Sequence, residues 1–153
     1  MFFRVPELEN AAVRALPDYR PIVIITSNSE KNLPDAFLRR CVYYHIAFPS
    51  PDRLREIVTL RIDDLAGVED PGIRDAIDLF VRLRAEDTPY RLSKKPATAE
   101  LIGWINALRG AGANLKLTLK TQEDKVRGTM GAVVKLSGDR PSALKVVEQW
   151  VSS

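Results

Sequence analysis

Three groups of polar residues in this sequence are of the types that handle phosphate. Asn28 follows the apolar run Ile22-Val23-Ile24-Ile25-Thr26. At the end of a buried strand its amide would stand at the sheet edge, where open α/β folds bind ligands. Arg39 and Arg40 are adjacent, and a guanidinium is planar, always charged and matched to phosphate geometry. Lys94 and Lys95, with Arg91 close by, form a second cationic group, and a lysine presents a phosphate with a point charge. Each group also has a plainer reading: Asn28 as a turn cap, the arginines as a solvated pair on a short helix, the lysines as a basic helix entrance.

Other reactive residue types point to less. His45 has no Cys or His partner at ligand spacing, so no metal site is expected. Cys41 follows the arginine pair, whose positive field would lower its pKa; a buried, inert thiol is the simpler expectation. Trp104 and Trp150 fall at helical positions and read as packing residues. No Gly-x-x-x-x-Gly-Lys-[Ser/Thr] segment occurs, so a loop that cradles phosphates is missing.

The elements that must position these residues can be read in order. Residues 1–20, with Pro6 and Pro17, suggest a helix or loop. The run at 22–27 is apolar without alternation, which suggests a strand covered on both faces, and Ser27-Asn28-Ser29 are turn formers. A short helix is expected over 34–39, with Pro34 suited to its first position. Residues 42–48 read as a second strand, stopped by Pro49 and Pro51.

Beyond that point the pattern is helical. Ser50 is a good N-cap with Pro51 at the first helical position, and Leu54, Ile57, Val58, Ile62 and Leu65 follow at helical spacing up to Gly67. Ile73, Ile77, Phe80 and Val81 share one face of a second helix. Thr98 is placed to cap a third, carrying Leu101, Ile102, Ile105 and Leu108 and closed by Gly110. A fourth holds Val126, Met130, Val133 and Val134, with Gly131 unfavourable within it. A last helix runs from about Pro141 to Trp150, with Leu144, Val147 and Val151 inward.

Composition bounds the class. The 153 residues are 45% hydrophobic and 28% charged, with a formal charge of +3 and a pI near 9.1, an ordinary globular balance long enough for a substantial core. The single cysteine excludes an intrachain disulfide, which fits a reducing compartment. Charges arrive too early for a signal peptide, and no apolar run reaches the roughly 18 residues of a membrane span. A cytoplasmic protein without membrane contact is expected. The mild basicity lacks a recognition-helix signature, so nucleic acid is not an expected partner.

Two segments carry a family resemblance. Ile22 to Asn28, followed by Leu33-Pro34-Asp35-Ala36-Phe37-Leu38-Arg39-Arg40-Cys41, resembles the sensor-1 strand and arginine-finger segment of AAA+ ATPases of the MoxR-like branch. Phe48-Pro49-Ser50-Pro51-Asp52-Arg53-Leu54-Arg55-Glu56-Ile57-Val58 is similar to the crossing into that family's helical lid. A weaker match, Leu92 to Trp104, is similar to the sensor-2 helix region. Together they span about residues 15–110. The resemblance implies that Asn28 acts as sensor 1 on the γ-phosphate or attacking water, and that Arg40, with Arg39 beside it, is the finger reaching a neighbouring subunit's nucleotide. It places Lys95 or Lys94 at sensor 2, where many relatives have arginine. Phosphoryl transfer is mostly positioning and charge stabilisation, which is why such groups matter.

The implied fold is an α/β fragment, two strands of a parallel AAA+ sheet within residues 1–49, followed by an all-α helical lid over 50–153, mostly α overall. The implied function is ATP hydrolysis with Mg2+ in a ring, coupled to remodelling of an unidentified protein client. The family's phosphate loop and its Mg2+-holding Asp-Glu strand are missing from these residues, so hydrolysis by this polypeptide alone is not expected. In the family sheet the strand entering the phosphate loop lies between the two strands found here, which would otherwise expose unpaired edges. The expected partners are therefore the N-terminal half of the AAA+ core, on the same longer chain or a split one, and neighbouring AAA+ subunits. The competing reading is a non-enzymatic helical interaction module derived from an AAA+ lid.

Overall fold

Strand-forming and helix-forming residues separate along this chain, and so do its structural units. The computed structural model describes residues 2–5, 11–14, 22–26, 34–62 and 70–153. The chain divides into Met1–Ile46 and Ala47–Ser153.

In the first unit, Phe2–Val5 (β1) pairs antiparallel with Ala11–Arg14 (β2), with Phe2 opposite Arg14 and Val5 opposite Ala11. This strand pair stands where a helix or loop was expected for Phe2–Val5 and Ala11–Arg14; the rest of that expectation lies outside the described residues. Phe2, Phe3 and Val5 are aromatic or β-branched and suit a pleated surface, and Pro6 has no N–H with which to extend a ladder. A single turn, Asp35–Leu38 (α1), follows Pro34, whose carbonyl accepts the Leu38 N–H at 3.2 Å.

Residues 22–26 and 42–48 have no regular secondary structure, so the two strands expected there are not formed among the described residues. Ile22 to Ile25, Val42 to Tyr44 and Ile46 are exposed. The physical reason is partnership. A strand is held by a neighbour's N–H and C=O groups, and a continuous apolar one also needs cover on both faces.

The second unit is mostly helical. Pro51–Arg61 (α2) opens as expected: the Ser50 hydroxyl accepts the Arg53 N–H at 3.3 Å and Pro51 stands first. Leu54 and Val58 are buried. Pro71–Leu83 (α3) buries Ile73, Ala76, Ile77, Leu79, Phe80 and Leu83, whereas Val81, expected inward, is 38% exposed.

Thr98–Gly110 (α4) buries Leu101, Trp104, Ile105 and Leu108. Thr98 does not cap it. Ala97 holds the cap position, and the Glu100 carboxylate accepts the Ala97 N–H at 3.0 Å. The helix ends at Gly110, as expected, but the left-handed residue of its C-terminal turn lies two positions on. Gly112 adopts φ 74°, its N–H reaches the Arg109 carbonyl at 2.9 Å, and the Ala113 N–H reaches Leu108 at 2.9 Å. Those paired bonds require a left-handed residue, which glycine supplies without a Cβ penalty.

A 3-10 turn at Leu119–Gln122 leads into Glu123–Val133 (α5), and a second at Ser137–Asp139 leads into Arg140–Val151 (α6). Val126, Met130, Val133 and Val134 are buried as their spacing predicts. In α6 the inward set is Ala143, Val146, Val147 and Trp150, with Leu144 and Val151 only partly covered. The buried face is rotated from the expected one because the indole of Trp150 fills the core.

Helix α4 packs along α5, and α3 lies against α2, α4 and α6. Trp104 and Trp150 are fully buried and polar at one end. Trp104 Nε1 donates to Thr129 Oγ1 at 2.9 Å, and Trp150 Nε1 to Asp78 Oδ2 at 2.8 Å. Each indole thus contributes a large apolar area without stranding its N–H. Gln122, 9% exposed, satisfies itself on a loop: its Oε1 accepts the Asn114 N–H at 2.8 Å, and its Nε2 donates to the Asn114 and Thr118 carbonyls at 2.9 and 3.2 Å.

At the entrance to this unit Phe48 stacks on Phe80, ring centroids 6.2 Å apart. The Arg84 guanidinium lies 3.3 Å from the Phe48 ring centre and donates from Nη1 to the Pro96 carbonyl.

Candidate functional site

The residues expected to handle phosphate fall on different units. Asn28 lies outside the described residues. Arg39 and Arg40 follow α1 in the first unit and are exposed. Arg40 Nη1 donates to the Ala36 carbonyl one turn back, which directs the guanidinium along its own short helix. Among the described residues neither arginine forms an ion pair. Cys41 beside them is exposed, which corrects the expectation of a buried thiol: the described residues that follow it, Val42 to Ile46, are exposed as well and give it no cover. His45 is exposed as well, and among the described residues no cluster of His, Cys, Asp and Glu is arranged to hold a metal ion.

Lys94 and Lys95 belong to the second unit, on the loop between α3 and α4. This loop is fixed at several points. Leu92 is 3% exposed and belongs to the core. The next two backbone amides converge on one carboxylate: Ser93 N–H donates to Asp139 Oδ1 at 2.9 Å and Lys94 N–H to Asp139 Oδ2 at 3.0 Å. Pro96 is held through its carbonyl by Arg84. Above these anchors Lys94 is exposed and Lys95 half-buried. Lys95 Nζ forms an ion pair with Glu86, and that hydrogen bond is the main reason the Glu86 carboxyl sits below its ordinary pKa.

Asp139 is the residue that the sequence pattern did not single out. It is 5% exposed and stands at the N-cap position of α6, yet its side chain makes no cap bond to that helix. Its carboxylate is spent on a loop 45 and 46 residues away. The Lys94 and Ser93 amides hold its pKa below the ordinary aspartate value, against the opposing effect of burial. An Asp immediately before a helix normally announces a cap, so position alone gives no hint of the distant partner.

Helix α2 carries a shallow depression lined by Asp52, Arg55, Glu56, Thr59 and Leu60. Its charges are internally paired, Arg55 with Asp52 and Arg53 with Glu56, and no chemistry is assembled there. No helix among the described residues is long and apolar enough to cross a membrane. Comparison with protein-family models, curated proteins and solved structures finds no match to this chain.

Proposed function

We propose that this chain is the C-terminal part of a MoxR-like AAA+ ATPase, acting in the cytoplasm, that couples ATP hydrolysis to remodelling of a protein client. In this reading Arg40, with Arg39, is the finger offered to a neighbouring subunit's nucleotide. Asn28 is sensor 1, Lys95 or Lys94 serves as sensor 2, and residues 50–153 form the lid. The observation that carries it is the state of the arginine pair: both side chains are exposed, and no carboxylate among the described residues neutralises them. A finger has to keep its charge for a phosphate supplied in trans. The Ser50-capped start of a helical unit at Pro51, where the resembling segment enters its lid, supports the same reading.

These residues fit ATP only in part. The cations suit the terminal phosphate, but no phosphate loop occurs in the sequence. No hydrolytic step therefore belongs to this chain alone. When bound in the complete assembly, ATP with Mg2+ would supply the phosphoryl group, and this chain would position and stabilise charge. Residues 22–27 and 42–48 would be the strands that flank the missing strand of the parallel sheet.

The test is to mix this chain with the half that bears the phosphate loop and follow ATP hydrolysis. Arg40→Ala should abolish turnover and leave nucleotide affinity nearly intact. Unchanged turnover removes the finger role from Arg40. An in-frame Gly-Lys-Thr loop and Asp-Glu strand encoded upstream would identify the parent directly.

One observation favours a second reading, a helical interaction module without catalysis: the second unit closes a core from its own residues. Nucleotide-independent capture of a defined protein partner by residues 47–153 would favour it.

A further inference from the structure

Surface loops are ordinarily the least constrained part of a domain. The loop that carries Lys94 and Lys95 departs from that. A carboxylate with 5% exposure is committed to two of its backbone amides, and the side chain beside them, Leu92, is in the core. Leaving a charge in so covered a place is unfavourable unless hydrogen bonds replace the lost water, and here two backbone donors do so. The arrangement fixes the Ser93 and Lys94 peptide units, while the Lys94 side chain is exposed and that of Lys95 half-buried.

We propose that Asp139 is a positioning residue, holding the Ser93–Lys95 loop so that Lys94 and Lys95 present their ammonium groups together to a polyphosphate. The inference rests on the nucleotide-facing reading of that loop. Asp139 touches no ligand. It acts through the backbone of Ser93 and Lys94, while Glu86 holds Lys95 when no phosphate is present and yields it to a more highly charged anion.

The sign of the effect separates positioning from simple electrostatics. Asp139 is negative, so removing its charge should tighten anion binding if Coulomb repulsion were its whole influence. If it positions the loop, removing it should weaken binding.

The experiment titrates the full chain with inorganic tripolyphosphate at low salt, following the Lys94 and Lys95 resonances. Native-state exchange of the Ser93 and Lys94 amides is measured beside it. Asp139→Ala should speed exchange at those two amides while Leu101 and Trp104 stay protected, and should weaken binding by about fivefold, roughly 1 kcal/mol. Asp139→Asn, which keeps one acceptor oxygen and the same shape, should fall between and serves if the alanine variant does not fold. Tighter binding in either variant, unchanged exchange at Ser93 and Lys94, or equal loss of protection throughout α4 overturns the inference. The paired variant Lys94→Ala with Lys95→Ala tests the underlying reading. If it binds tripolyphosphate as the parent does, the nucleotide-facing reading of the loop fails, and the positioning role with it. If it loses binding while Asp139→Ala does not, only the positioning role is lost.

Discussion

Gly72 and Leu115 meet backbone to backbone: the Gly72 N–H donates to the Leu115 carbonyl at 2.9 Å, and a Cβ on Gly72 would stand 2.7 Å from Leu115 Cα. The contact places the first turn of α3 directly against the strip that joins α4 to α5. No flexible side chain is available to yield, because the atoms in the way belong to the main chain. Gly72→Ala should therefore lower stability by about 1–3 kcal/mol, the usual cost of forcing extra volume into a packed site. Thermal or urea unfolding measures it. An unchanged midpoint would mean that the two segments separate more readily than their hydrogen bond suggests.

The Asp139 carboxylate has its pKa depressed by the Lys94 and Ser93 amides. A group whose folded pKa lies below its unfolded value stabilises the fold above the unfolded value, about pH 4 for aspartate, and loses that contribution as pH falls through the folded one. Acidification below about pH 4 should thus weaken the native chain more than Asp139→Asn, although the variant is the less stable of the two at neutral pH. Glu86 and Glu148 are depressed in the same direction through Lys95 and Lys145. The difference between the two unfolding curves, rather than either curve alone, isolates Asp139. Parallel loss in both proteins would show that the carboxylate is not held as described.

Residues 47–153 should fold without the first unit, since the buried residues from Leu54 to Trp150 form one cluster within it. Circular dichroism of that fragment should show a cooperative transition with a midpoint within about 4 °C of the full chain's, less than about 1 kcal/mol in a domain of this size. A broad, non-cooperative melt would mean that the first unit completes the core.

Helices were legible wherever a local rule sufficed. Leu54 and Val58 four residues apart, Ser50 before Pro51, and the Val126–Met130–Val133 series each depend on neighbours within one or two turns. Boundaries were harder. Helix α4 ends at Gly110 as its composition suggests, yet the left-handed residue that completes its C-terminal turn is Gly112, which only the backbone reveals. Strands were hardest, because Ile22 to Ile25 and Val42 to Ile46 have the right residues, and residue type does not provide the neighbouring strand. Of the candidate site, the cations were visible as types, but the Asp139 anchor joins positions 45 and 46 residues apart and leaves no trace in any local window.

Arg84 joins two distant stretches of the second unit. One face of its guanidinium rests on Phe48, where the chain enters the unit, and one nitrogen grips the Pro96 carbonyl at the far end of the lysine-bearing loop. Phe48, which also stacks on the buried Phe80, and the foot of α4 are thus tied to one another by a single side chain as well as through the core.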